Sequence, residues 1–164
     1  MENMNELIAA IETMDPEAVA SAILAFTGLF VIIAAIALIR YLMTAIGYSK
    51  MYRKAGEAGW KAFIPVFNTY NNYKISWNGK FFFLYAALVI ASSLRVFNEG
   101  ALALLGTAYS IAIIYIGVKQ NIKMAKLFGK GAGTGIALIL FPGITSLILG
   151  LGKAEFQGNL LENN

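Results

Sequence analysis

Residues Val19–Ile39 read VASAILAFTGLFVIIAAIALI, 21 positions without a charge. Coiled as an α-helix at about 1.5 Å per residue, the run is roughly 31 Å long, the thickness of a bilayer's hydrocarbon core. Asp15-Pro16-Glu17 stands just before it. Asp15 suits the capping position, Pro16 the first helical position, and Glu17 complements the positive end of the helix. Arg40 closes the run and the helical pattern continues toward Lys50. The spacing therefore predicts a membrane-spanning helix over about residues 17–46.

The composition of the whole chain agrees. Of 164 residues, 59% are hydrophobic and 13% charged, and the mean hydropathy is +0.67. Soluble domains are roughly 45–50% apolar and about 25% charged. A globule of this size has too little interior for that much apolar surface. The excess must face lipid, which excludes a soluble enzyme.

Three further spans follow. The second runs over residues 81–97, opening with Phe81-Phe82-Phe83-Leu84 and carrying Arg95 near its far end, where a long side chain snorkels to the headgroups. Asn98-Glu99-Gly100 separates it from the third, residues 101–118, and so short a link makes the two antiparallel. The fourth covers residues 134–151, with Pro142-Gly143 at its middle predicting a kink. Upstream of all four, Met4, Leu7, Ile8, Ile11 and Met14 share one helical face, predicting a short amphipathic helix lying on the membrane. A cleaved signal peptide is rejected, because the first residues are acidic (Glu2, Glu6, Glu12) rather than basic.

Charge orients the spans. Residues 47–80 carry Lys50, Arg53, Lys54, Lys61, Lys74 and Lys80 against Glu57 alone, and residues 119–133 carry Lys119, Lys123, Lys126 and Lys130 without an acid. The segment before the first span holds five acids and no base. By the positive-inside rule the loops 47–80 and 119–133 are cytoplasmic and both termini lie outside.

The cytoplasmic surface is the candidate functional region. Lys119, Lys123, Lys126 and Lys130, spaced 4, 3 and 4, form a narrow stripe on a helix extending the third span. The stripe reads first as a solvated helix end obeying the topology rule; contact with anionic lipid headgroups is the sharper reading, and the two are compatible. In the first loop Trp60, Phe63, Phe67, Tyr70, Tyr73 and Trp77 alternate with Lys61, Lys74 and Lys80, the mixture favoured at a membrane interface. Glu57 and Lys61 are oriented for a helical i,i+4 pair, Pro65 ends that helix, and Asn68, Asn71 and Asn72 follow in an irregular segment. Trp60, Lys61, Tyr70, Trp77, Lys119, Lys123, Lys126 and Lys130 are the expected lipid or partner contacts.

Catalytic chemistry has few carriers. The chain has no Cys and no His, which removes thiolate catalysis, the commonest metal ligand and the usual general base. Gly129-Lys130-Gly131-Ala132-Gly133-Thr134-Gly135 does not satisfy GxxxxGK[ST] and reads as a flexible break before the fourth span. No Asp or Glu falls inside a predicted span, so a proton relay has no carboxylate. A serine–lysine peptidase needs a Ser beside a buried Lys; Ser49 and Lys50 are adjacent, which points their side chains about 100° apart on a helix. Gly28, Ala35, Gly106, Ser110 and Gly117 are the expected close-packing positions between spans.

The stretch Lys54-Ala55-Gly56-Glu57-Ala58-Gly59-Trp60-Lys61-Ala62-Phe63-Ile64-Pro65, followed by Asn68-Thr69-Tyr70, resembles the signature KAGxxGWKAxIPxYNxY of an uncharacterised prokaryotic family of small multi-pass membrane proteins. Ala125–Gly131 and the closing Leu149–Phe156 resemble it too, so the likeness covers about residues 35–157. Phe67 stands where Tyr is common, and Lys153 where Asp is common. Some members are loosely labelled as signal peptidase I related, but this chain lacks the serine motif of such an enzyme. The resemblance implies a small helical integral membrane protein and assigns no activity.

The expectation is an all-α integral membrane protein of the prokaryotic inner membrane. It has four transmembrane helices, an N-terminal amphipathic helix and a cytoplasmic interfacial helix, and it forms one domain. Its expected role is non-enzymatic: a structural, scaffolding or accessory subunit acting through anionic lipid and protein contacts, as a homo-oligomer or within a larger membrane complex. No cofactor and no nucleic acid partner are expected. A channel or transporter subunit is the alternative, its pore lined by Ser92, Thr107, Ser110 and Tyr115.

Overall fold

A computed structural model describes residues 4, 15–93 and 102–158. Among them every regular element is helical. Apart from Met4, the predicted amphipathic helix lies outside the described residues, as does the Arg95–Glu99 region. Contacts divide the chain into two units, Met1–Ile39 and Arg40–Asn164.

Helix α1, Pro16–Lys54, is 39 residues long and so roughly 58 Å; its part up to Ile39 belongs to the first unit and the rest to the second. It begins as the sequence requires: the Asp15 carboxylate accepts the Glu17 amide at 3.1 Å, and Pro16 takes the position that needs no amide donor. Hydroxyls along it turn back on their own helix, Ser21 to the Ala18 carbonyl at 2.8 Å, Thr27 to the Ile23 carbonyl at 2.7 Å and Thr44 to the Arg40 carbonyl at 2.8 Å. Phe26 (74%) and Phe30 (71%) are bare. Apolar on all sides and uncovered by protein, α1 is the one helix among the described residues long and apolar enough to cross a membrane.

The second unit contains the end of α1, from Arg40 to Lys54, and later helices pack against that segment. A short 3-10 helix, Gly59–Phe63, leads into α2, Pro65–Ser76. Then come α3, Lys80–Ser93, and α4, Leu102–Leu127. Two short helices close the order: α5, Ala132–Leu140, and α6, Pro142–Leu151. Tyr48, Met51, Tyr52, Ala62, Met124, Ala125, Leu127, Phe128, Leu138 and Leu149 form one core. Burying side chains of this size stabilises by about 1.5–3 kcal/mol each.

The 3-10 helix ends just before Pro65 as expected, but Pro65 also starts a helix. Ile64 before it is extended (φ −110°, ψ 116°) and Pro65 takes the first helical position of α2, as a residue preceding proline is driven out of the α region. The predicted irregular segment is thus a twelve-residue helix. The segment 55–65 climbs along α1: Gly59 lies against Ser49 and Arg53, and the Tyr41 hydroxyl donates to the Phe63 carbonyl. Helix α2 then returns, with the Tyr52 hydroxyl reaching the Asn68 carbonyl at 2.8 Å and Asn72 Oδ1 at 3.0 Å.

The predicted span 101–118 and the first part of loop 119–133 are one continuous helix, α4. It stops where the backbone makes a left-handed turn at Gly129 (φ 68°). There the Lys130 amide bonds to the Ala125 carbonyl at 3.0 Å and the Gly129 amide to the Lys126 carbonyl at 2.9 Å, the Schellman pattern of a helix C-terminus. Gly56 (φ 79°) ends α1 in the same way, the Glu57 amide reaching the Tyr52 carbonyl at 2.8 Å. The glycine-rich stretch after α4 is therefore an ordered helix stop, and helix resumes at Ala132.

The predicted span 134–151 is not one helix. Phe141 (φ −131°, ψ 59°) separates α5 from α6, and Pro142 begins α6. The two arms run in opposite directions. Along α5, Gly135 packs on the Ile122 backbone of α4; along α6, Gly143 faces Arg40, Met43 and Thr44, and Gly150 faces Gly47 and Lys50. At the foot, the Gln157 amide bonds to the Leu127 carbonyl at 2.6 Å and the Phe156 ring packs edge-on to Phe128. Proline at mid-span breaks this segment outright instead of kinking it, because Phe141 leaves helical geometry altogether.

The close-packing glycines are also different ones. Nothing lies within 4 Å of a side chain built on Gly28 or Gly117, whereas Gly47, Gly59, Gly135 and Gly150 admit none.

Candidate functional site

At the foot of the second unit, where α1, α2 and α4 end, polar side chains are organised by three features. Lys54, in the last turn of α1, donates to the carbonyls of Leu149 (2.9 Å), Gly152 (2.7 Å) and Ala154 (2.8 Å). An ammonium has three donors, and all three are used on the otherwise unsatisfied end of α6.

Glu57 is the second feature. It stands just past the Gly56 turn and accepts Lys61 at 2.7 Å and Lys74 at 2.5 Å, one on each carboxylate oxygen. Hydrogen bonds from Lys61 and then Lys74 hold its carboxyl below the usual carboxylate range. The bond from Glu57 in turn raises Lys74. The pair therefore ties the start of the 3-10 helix to the last turn of α2.

The third is aromatic. Trp77 lies between Tyr73 and Phe81, with ring centroids 6.4 and 5.2 Å away, and Lys123 of α4 sits 6.0 Å over its face, within cation–π range. Desolvation pushes the Tyr73 hydroxyl up to about 12. Between Trp77, Lys123, Lys74, Glu57, Ile75 and Phe156 lies an open cleft of about 300 Å³. Two cations and one carboxylate leave it with a surplus positive charge.

The predicted contact residues are divided by the fold. Trp77 and Lys123 meet at the cleft. Lys61 is engaged by Glu57, so it is a structural cation. Tyr70 packs edge-on to Phe82 and Phe83 and locks α2 to α3. Trp60 is 54% exposed and leans on Phe67 away from the cleft. Lys119 lies 5.0 Å over Tyr115. Lys126 and Lys130 are exposed, Lys130 past the end of α4, so the four-lysine stripe keeps only three members on the helix.

Sequence reasoning missed Lys54 and the Glu57–Lys74 pair. Lys54 sits before a glycine stop, the usual place for a dipole-complementing lysine, but its partners lie about 100 residues away. It also missed Asn71, which is fully buried with neither amide atom hydrogen-bonded, and Gln120, whose Nε2 is likewise unpaired. Both lie one helical turn before cleft residues, Lys74–Ile75 and Lys123. Among the described residues no group of three His, Cys, Asp or Glu could hold a metal ion.

The sequence model of a family of unknown function, DUF5684, matches residues 60–159, more than half of the chain. The chain belongs to the DUF5684 family. The match takes in the cleft residues Lys74, Trp77, Lys123 and Phe156 and all of α2 to α6, so the DUF5684 region includes most of the second unit. No curated protein and no solved structure matches the chain.

Proposed function

We propose that this chain is an integral membrane protein of the prokaryotic inner membrane that acts without catalysis, as a scaffolding or accessory subunit. It holds anionic lipid headgroups, and through them or directly a membrane partner, at its lysine-bearing face. The observation that carries this reading is the pairing of opposite surfaces on one molecule. α1 is bare and apolar for two-thirds of its length, a surface that only lipid covers at no cost. Exposed Lys119, Lys123 and Lys126 on α4, with Lys130 beyond it, stand next to apolar Ile111, Ile114 and Tyr115, the sequence of surfaces a headgroup region requires.

Near-surface lysines contribute about 1 kcal/mol each to anionic membrane attraction. Replacing Lys119, Lys123, Lys126 and Lys130 together by Gln should abolish enrichment of phosphatidylglycerol over phosphatidylcholine in the lipid that co-purifies in nanodiscs. Equal enrichment by wild type and variant would overturn the lipid-holding role. Extraction of the wild-type chain from membranes by alkaline carbonate would overturn the membrane reading itself.

A further inference from the structure

We propose that residues 132–157 enter one leaflet of the bilayer and return, so that the chain emerges on the same side as its lysine-rich loops and its two ends lie on opposite sides. The proposal rests on the membrane reading above and replaces a fourth crossing by a re-entrant hairpin.

Three observations carry it. The first is where the two feet of the hairpin stand. α5 starts beside the end of α4, after the Gly129 turn, and climbs so that Gly135 meets Ile122. α6 descends beside α1 until its terminal carbonyls are taken by Lys54, and Gln157 closes on Leu127. Entry and exit are thus tied to the same ends of α1 and α4. A crossing helix would put residues 134 and 151 at opposite ends.

The second is length and surface. Arms of 9 and 10 residues reach about 14 and 15 Å, too short to cross a hydrocarbon core of about 30 Å. Gly143 at the apex stands beside Arg40, where the charge-free run of α1 ends, so the tip meets the near edge of that core. Leu140, Phe141, Ile144 and Ile148 on them are 55–62% exposed, a face suited to acyl chains. The apex also satisfies its own backbone. Phe141 donates to the Ala137 carbonyl at 2.8 Å and the Thr145 amide to the Phe141 carbonyl at 3.0 Å. The Thr145 hydroxyl takes the Ala137 carbonyl at 3.0 Å, and Pro142 has no amide to leave unpaired. Irregular backbone at membrane depth requires such satisfaction.

The third is charge. With four crossings Lys153 is stranded outside, against ten basic residues on loops 47–80 and 119–133. With the hairpin it joins them, and exposed Lys130 and Lys153 flank the entry and the exit.

The chain contains no cysteine, so single-cysteine variants report topology directly. Glu17→Cys, Lys126→Cys and Lys153→Cys are labelled with a membrane-impermeant maleimide in sealed vesicles of known orientation, before and after lysis. Lys153→Cys should follow Lys126→Cys, and Glu17→Cys should show the opposite pattern. Lys153→Cys following Glu17→Cys would overturn the hairpin while leaving a membrane protein. A fluorophore on Phe141→Cys should be quenched by nitroxide-bearing lipid; no quenching would overturn the insertion of the apex. Carbonate extraction of the wild type reports on the membrane reading separately.

Discussion

Gly47→Ala is the perturbation that most directly tests how α6 is held against α1. A methyl at Gly47 would stand 2.6 Å from the Leu147 amide nitrogen, and one at Gly150 2.9 Å from Lys50 Cβ and closer still to the Gly47 carbonyl. Ordinary contact begins near 3.5 Å, so the helices must separate by nearly 1 Å, and the obstacle is backbone that cannot rotate away. Overpacking of this kind costs about 1–3 kcal/mol. Alanine in place of a mid-helix glycine returns about 0.5–1 kcal/mol, so a net loss of roughly 1–2 kcal/mol is expected. Separation also loosens the seat of fully buried Ser146 and Leu149. Gly117→Ala is the control: nothing lies within 4 Å there, and only the helix-propensity gain of up to about 1 kcal/mol remains. Because Gly47 and Gly150 share one contact, the double alanine variant should lose less than the sum of the single losses. Denaturant titration in detergent, followed by Trp fluorescence, measures all four. Gly47→Ala as stable as wild type, or strict additivity in the double variant, would refute the close approach.

Lys54→Met keeps the side-chain length and removes three donors, leaving the Leu149, Gly152 and Ala154 carbonyls unpaired; a loss of about 2–3 kcal/mol is expected, with faster amide exchange confined to residues 149–157. The Glu57 cluster should make stability pH-dependent at both extremes. The lowered Glu57 pKa contributes stability above its unfolded value near 4.3, lost as pH falls through the folded value; the raised Lys74 pKa contributes below about 10.4, lost as pH rises through its folded value. Glu57→Gln should flatten both limbs in a pH series of unfolding midpoints, and unchanged limbs would count against the cluster. Asn71→Leu conserves volume while removing two buried polar atoms that lack partners, so stability should rise by about 1–3 kcal/mol; a fall would show that the amide is satisfied in solution. Phe128→Ala, at the centre of the core, should cost about 3–5 kcal/mol in the same titration.

The beginning of α1 was legible because every cue is local: Asp15, Pro16, Glu17 and the apolar run all act within one turn or along one helix. The Glu57–Lys61 pair was legible for the same reason. The two prolines were legible in part: Pro65 was read as ending a helix, and the 3-10 helix does end before it, while Pro142 was read as kinking one, and neither was read as a helix start. Pro65 and Pro142 each forbid a helix running through the residue before them, and that rule fits a helix ending there as well as one starting there. Ile64 and Phe141 decide it by leaving helical geometry, after which both prolines open helices. Apolar content misled in the segment 134–151, since two half-length arms carry the same hydropathy as one full span. For the candidate site, Trp77 and Lys123 were each legible as interfacial residues. Their meeting needs α2 and α4 to pack, and Lys74 has to be drawn to Glu57 from the far end of α2. No spacing rule reports contacts 17 or 100 positions apart.

The grip of Lys54 on the carbonyls of residues 149–154 sets a clock on biogenesis. At synthesis rates of about 5–20 residues per second, the roughly 100 intervening residues keep that ammonium waiting some 5–20 s for its acceptors after it leaves the ribosome. Through this interval the nascent chain holds an unsealed seam at the foot of its longest helix. The seam closes only when the last part of the second unit has been made, so the foot of α1 is among the last places in the chain to be completed.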